Sequence, residues 1–210
     1  TDTIVDIPRL RQENPRLDLA ARIAEQNKFM HWELEFADLF AERGGFDLII
    51  GNPPWVKVWW NEQSLISDHY PLSAIRKLKA SEVSKIRSTC LENLVFAEHY
   101  YSEYAEVGGM QNYLNATQNY SALKGSEVNL YKYFLPQSWQ FSNSEGIFAF
   151  VHPSAIYDEA KGGTARSVLY TKLRKCYKFV NEAKLFAEVG NTVKYSLCIY
   201  SNKPTKEFDL

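Results

Sequence analysis

The run Phe46-Asp47-Leu48-Ile49-Ile50-Gly51-Asn52-Pro53-Pro54-Trp55 restricts the folds open to this chain more than any other stretch. A short apolar segment ends at a glycine and turns into Asn-Pro-Pro-aromatic. Proline lacks the backbone donor and fixes φ, so two in succession end ladder pairing and form a stiff corner. The residue before a proline is pushed to extended geometry, which holds Asn52 out at the carboxyl edge of a strand. In open α/β sheets that edge is where ligands bind.

Such a corner suits a planar amino group. The Asn52 side-chain oxygen can accept one N–H, and the Pro53 carbonyl can accept the other. With both hydrogens held, the nitrogen lone pair turns out of conjugation and toward an electrophile. Trp55 adds a π face for a flipped-out base. The chemistry needs neither a nucleophilic cysteine nor a metal.

With the apolar strand before it, Asn52-Pro53-Pro54-Trp55 resembles the catalytic motif of the amino-methylating DNA methyltransferases. The resemblance is to the large adenine-N6 methylases of restriction-modification and related phage-defence systems. Two downstream stretches fit the same family in order. Asn129-Leu130-Tyr131 with Phe134 resembles the helix-start motif beside the cofactor pocket. Gly146-Ile147-Phe148-Ala149-Phe150-Val151-His152-Pro153-Ser154 resembles the strand that follows it.

The resemblance implies S-adenosylmethionine as cofactor and DNA, with a flipped adenine, as partner. It implies catalytic roles for Asn52, Pro53, Pro54 and Trp55, and cofactor contacts from Asp38, Asn129 and Tyr131. Lys161 and Arg166 fall where the family places a loop and helix start near the target base or backbone. An aromatic near the last hairpin stacks on the extruded base, and Phe186 and Tyr195 both qualify. A restriction or defence-system subunit is the further partner implied.

The implied fold is α/β, the C-terminal part of a Rossmann-like class I methyltransferase domain, with a helical insertion at about 61–107. The glycine pairs Gly44-Gly45, Gly108-Gly109 and Gly162-Gly163 do not follow apolar strands, so none reads as the family's cofactor loop. Residues 1–210 are therefore expected to be a partial catalytic domain whose cofactor half lies upstream, binding cofactor poorly alone.

Composition narrows the function classes. A chain of 210 residues with 45% hydrophobic and 23% charged content is ordinary globular material. Its net charge of −1 gives no overall attraction for a polyanion. The basic group Arg76, Lys77, Lys79, Lys85 and Arg87 reads either as a solvated helix face or as a phosphate contact. Cys90, Cys176 and Cys198 lack paired spacing and read as reduced thiols in a cytoplasmic protein. His31, His69, His99 and His152 lack metal-ligand spacing, and no run reaches membrane-span length.

Periodicity predicts a loop over 1–13 and a helix from Asn14-Pro15 to about Lys28. A turn is expected at 41–45, a strand over 46–50, and helices over 62–107 ended by Gly108-Gly109. A polar loop at 110–126 should precede a helix reaching Phe141, a turn at 143–146 and a strand over 147–151. Residues 157–163 read as a loop, followed by a Thr164-capped helix through Arg174. Strands at 177–181 and 193–200 then form a hairpin at the sheet edge. The Asn-Pro-Pro-aromatic corner would also suit a protein glutamine amide or an RNA guanine amino group. A non-catalytic interaction module that kept the fold is the remaining alternative.

Overall fold

The computed structural model describes residues 6–76 and 78–209. Lys77 and residues 1–5 of the expected N-terminal loop lie outside them. The chain divides into two compact units, Thr1–Gly44 and Gly45–Leu210.

The first unit is helical: α1 (Ile7–Glu13), α2 (Pro15–Asn27), α3 (Trp32–Glu35) and α4 (Ala37–Arg43). The expected loop over the first residues is thus largely a helix. The Asp6 side chain accepts from the Arg9 N–H, and a proline occupies the first turn, two local devices that start a helix without an apolar period. Asn14 caps α2 and Pro15 opens it, as the sequence indicates. Gly44 closes α4 in the left-handed region at φ 72°, so the expected turn at 41–45 begins only after Arg43. None of these four helices contains a buried residue.

The second unit opens with β1 (Phe46–Gly51). Helices α5 (Glu62–His69), α6 (Leu72–Ile75), α7 (Ala80–Leu91), α8 (Leu94–Asn115) and α9 (Thr117–Tyr120) follow, with a 3-10 turn at Ser121–Leu123. Next come α10 (Leu130–Phe141), β2 (Ser142–Pro153), α11 (Ala155–Asp158), α12 (Gly163–Lys172), β3 (Leu173–Val180), a 3-10 turn at Asn181–Ala183, and β4 (Lys194–Ser201). The strands form one mixed sheet in the order β1-β2-β4-β3. β1 lies parallel to β2, with Gly51 opposite Phe150. β4 runs antiparallel to both neighbours, pairing Phe150 with Cys198 on one side and Cys176 with Cys198 on the other. The sheet is mixed α/β, as expected. The terminal hairpin contributes one edge strand, β3, while β4 sits inside the sheet.

Gly45 and Gly146 make the β1–β2 join possible. A Cβ on Gly45, at φ 135°, would lie 2.5 Å from the Phe141 carbonyl, and one on Gly146 would lie 2.9 Å from the Phe46 carbonyl. The expected turn at 143–146 is instead a bulge within β2, since the pairing jumps from Phe46–Ser142 to Leu48–Ile147.

α8 departs most from the sequence reading. It runs through Gly108-Gly109 and continues to Asn115, replacing the first part of the expected polar loop. Each glycine costs about 1 kcal/mol against alanine in a helix interior. Burial outweighs that, because Phe96, Tyr100 and Leu114 are buried and Val107 and Gln111 half-buried along one stripe. Asn93 secures the start by accepting from the Val95 and Phe96 amides. Further on, α12 begins at Gly163 with Thr164 inside it and no side-chain cap. It ends at Lys172, so Leu173 and Arg174 belong to β3. The expected loop at 157–163 overlaps the short helix α11.

The main core packs against the sheet around Tyr131, Leu135, Phe148, Ile156, Leu169 and Tyr200. A smaller cluster of Ile66, Val83, Cys90, Phe96 and Tyr100 lies among α5, α7 and α8. No described helix is long and apolar enough to cross a membrane.

Candidate active site

The corner after β1 sits at the carboxyl end of two parallel strands. Asn52 and Pro54 are exposed, while Pro53 is buried. The Trp55 indole N–H donates to the Val151 carbonyl at 3.3 Å, pinning the corner to the end of β2. The Trp55 ring packs on Phe186 at 4.8 Å and on Tyr195 at 6.0 Å between centroids. Phe186 meets Tyr195 edge-on at 5.1 Å, and Phe179 stacks behind Tyr195 at 5.4 Å. Both aromatic candidates therefore meet the same tryptophan. Packed rings sit roughly 4.5–7 Å apart, so no base fits between Trp55 and Phe186 as they stand.

The segment after the motif is stitched to the start of α10. Val58 N–H donates to the Val128 carbonyl (3.1 Å), and Leu130 N–H donates to the Val56 carbonyl (2.9 Å). Lys57 pairs with Asn129 in an antiparallel bridge, and its ammonium reaches Glu127 at 2.7 Å. Asn129 is thereby held beside the motif. Its side-chain oxygen is buried with no hydrogen-bond partner among the described residues. Tyr131 is buried and stacks on His152 at 5.4 Å. Burial raises the Tyr131 phenol well above its usual range and lowers His152 to about 4, so that imidazole is neutral. His152 Nε2 lies 2.9 Å from the Tyr200 hydroxyl.

A buried ion pair fastens this stitch from below. The Lys132 ammonium donates to Ser126 Oγ (2.8 Å), the Glu127 carbonyl (3.0 Å) and Glu159 Oε2 (2.5 Å). Glu159 also accepts from the Glu127 N–H (2.6 Å) and the Ser126 hydroxyl (2.9 Å). Burial alone would raise the Glu159 carboxyl. The hydrogen bonds from Lys132, Glu127 and Ser126 outweigh it and hold the group below the usual carboxylate range.

Arg166 is committed to structure, since its guanidinium donates to the Glu159 carbonyl at 2.6 Å. Lys161 is exposed. Asp38 is exposed in the first turn of α4, in the first unit. Of the basic group, Arg87 is taken up by Glu62 (2.9 Å) and Ser84, whereas Arg76, Lys79 and Lys85 are exposed. No group of three or more His, Cys, Asp or Glu among the described residues could hold a metal ion. Cys90, Cys176 and Cys198 are free and buried.

Sequence reasoning missed Lys132, Glu159 and the Lys57–Glu127 pair. One signal was present: a lysine inside the apolar run Leu130–Leu135 needs a buried anion.

The structure is a mixed α/β sheet carrying Asn-Pro-Pro-Trp at the carboxyl end of a strand that pairs in parallel with β2. A solved structure from Listeria monocytogenes, described as a class I S-adenosylmethionine-dependent methyltransferase, is 14% identical to this chain. The match has a TM-score of 0.31 and covers 40% of this chain and 28% of that one, too partial an overlap to define the fold. No curated protein matches the chain. Residues 3–86 match the family model described as Eco57I restriction-modification methylase, less than half of the chain. The matched span includes the Phe46–Trp55 run; α8, α10 and β2 to β4 lie beyond it.

Proposed function

We propose that the chain forms the target-base part of an S-adenosylmethionine-dependent DNA methyltransferase. It acts on the N6 amino group of adenine within a restriction-modification or related defence system, and so works in the cytoplasm. The observation that carries this reading is Asn52. It stands exposed at the end of β1 on a corner that Trp55 pins to β2. The match of residues 3–86 to restriction-modification methylases supports the same substrate class.

On this reading Asn52 Oδ1 and the Pro53 carbonyl accept the two N–H groups of the flipped base. The amine is then held with its lone pair directed at the methyl donor. S-adenosylmethionine, when bound, supplies that methyl group as an electrophile. The buried Asn129 oxygen, an acceptor lacking a donor, fits a polar cofactor beside the motif. Tyr131 is the further cofactor residue proposed in this unit, and Asp38 remains a separate candidate in the first unit. Extruding the base costs a few kcal/mol, offset by stacking and the two hydrogen bonds. Since Phe186 already covers Trp55, the base stacks on the outer face of Phe186 or displaces it. Lys161 is free to reach the DNA backbone, while Arg166 shapes the loop that presents it.

The test is the N6-methyladenine content of DNA from cells carrying the parent gene, wild type beside Asn52→Ala. Methylation in one sequence context should fall on the order of 10²–10³-fold in the mutant, with an unchanged thermal midpoint because Asn52 is exposed. Equal methylation in both strains would remove Asn52 from catalysis. No methylated adenine in either would move the substrate to a protein glutamine amide or an RNA guanine.

A further inference from the structure

The 181–193 connection between β3 and β4 is organised by one side chain. Asn181 is 1% exposed. Its amide nitrogen donates to the carbonyls of Phe186 and Val189, both at 2.9 Å, and its oxygen accepts from the Phe186 N–H at 3.2 Å. Both amide hydrogens and the carbonyl oxygen are thus spent on the backbone of its own loop. The Asn181 main chain adds two more bonds, donating to the Val193 carbonyl (3.0 Å) and accepting from the Lys184 N–H (2.9 Å). Lys184 sits at φ 50°, in the left-handed region, where it reverses the chain.

Phe186 is the one loop residue whose N–H and C=O are both held by this amide. It is also the ring that covers Trp55. Leu185, beside it, is 75% exposed and anchors nothing. The loop therefore gains its shape from Asn181 rather than from a core of its own. We propose that Asn181 is the positioning residue for Phe186, setting where that ring stands against Trp55 and hence where a flat substrate ring can stack. Its consequence for turnover rests on the DNA methyltransferase reading above; its effect on the loop does not.

Hydrogen exchange on the wild-type chain is the first measurement. The Phe186 amide should exchange slowly although it belongs to no strand or helix; exchange at the free-peptide rate would overturn the proposal. In Asn181→Ala that protection should fall on the order of tenfold or more, with the β3 and β4 amides unchanged. Asn181→Asp, which keeps the acceptor but faces two carbonyls with a carboxylate, should behave alike. Acrylamide quenching of Trp55, taken as the difference from the matching Trp55→Phe chain, should rise in Asn181→Ala to the level of Phe186→Ala. Wild-type quenching in a folded Asn181→Ala chain would refute the assignment.

In the parent enzyme, with unmethylated phage DNA as the probe, Asn181→Ala should lower kcat about 10- to 100-fold and leave the KM for S-adenosylmethionine unchanged. A rise in that KM with constant kcat would mark a merely structural role. Wild-type enzyme inactive on DNA would instead defeat the functional reading, and the exchange and quenching results would still decide the role of Asn181.

Discussion

The two hydrophobic clusters of the larger unit treat polar groups differently. The cluster among α5, α7 and α8 counts Tyr100 among its buried members and hydrogen-bonds that hydroxyl to Glu62, whose partner Arg87 stands at the margin with its side chain 38% exposed. The cluster around the sheet admits Lys132, His152, Ser154, Asn181 and Ser196, all buried and all hydrogen-bonded. Burying such groups costs desolvation that their bonds only partly return. They concentrate around the carboxyl end of β2 and the start of β4, where the Asn-Pro-Pro-Trp corner is fixed. The first cluster carries none of the candidate site residues. The second gives up some stability for fixed positions.

Lys132→Met should break this contrast most forcefully. It leaves the half-buried Glu159 carboxylate with only the Ser126 and Glu127 donors, so unfolding in urea should show a loss of about 2–3 kcal/mol. Adding Glu159→Leu should recover most of it, since no lone charge then remains. Loss below about 1 kcal/mol in the single variant would mean the pair is solvated and no anchor.

Ile66→Ala probes the other cluster. Removing a fully buried side chain should cost about 3 kcal/mol in the same titration. On the proposed function, DNA methylation assayed well below the melting point should persist. Its disappearance would show that the helical cluster shapes the site after all.

Acid should act on the sheet cluster through His152. Its folded value is lowered to about 4 from 6.5, so between these pH values the unfolded chain binds the extra proton. Stability should therefore fall on acidification through this window, by up to about 1.4 kcal/mol per pH unit, and be fully present above it. His152→Gln should flatten the profile in urea titrations from pH 7 to 4; an equally steep mutant profile would assign the effect to other groups.

The smallest effect is expected at Gly109. It is exposed in α8, and a Cβ there would meet nothing within 4 Å. Gly109→Ala should raise stability by about 0.5–1 kcal/mol without altering function. A destabilised variant would show that the glycine pair is needed for close packing.

What was legible in the sequence follows from the range of the forces involved. β1 and its corner, the Asn14 cap and the 147–151 segment of β2 are written in adjacent residues, and each stands where its pattern indicated. Phe186 in the β3–β4 connection and Tyr195 in β4 both pack on Trp55, a meeting that no local pattern in the sequence announces. α8 was misread because Gly108-Gly109 is a strong local stop signal that long-range burial of Leu114 overrides. α1 was missed because a single cap and a first-turn proline, not periodicity, define it. Asn181 carried no signal, for its partners are backbone atoms that any sequence supplies.

The parallel pairing of β1 with β2 has a kinetic meaning. Trp55 and the Val151 carbonyl it meets are 96 residues apart, whereas Cys176 and Cys198 across the β3–β4 hairpin are 22 apart. Closing the longer loop costs only about 1 kcal/mol more in chain entropy, but it must wait for the helices between to collapse. Lower sequence separation favours early β3–β4 pairing, so pulse-labelling hydrogen exchange should protect the β3 and β4 amides before those of β1. During synthesis that strand emerges well before its partner, leaving its backbone N–H and C=O groups to water until β2 arrives, while Leu48 and Ile50 stay exposed even in the paired strand.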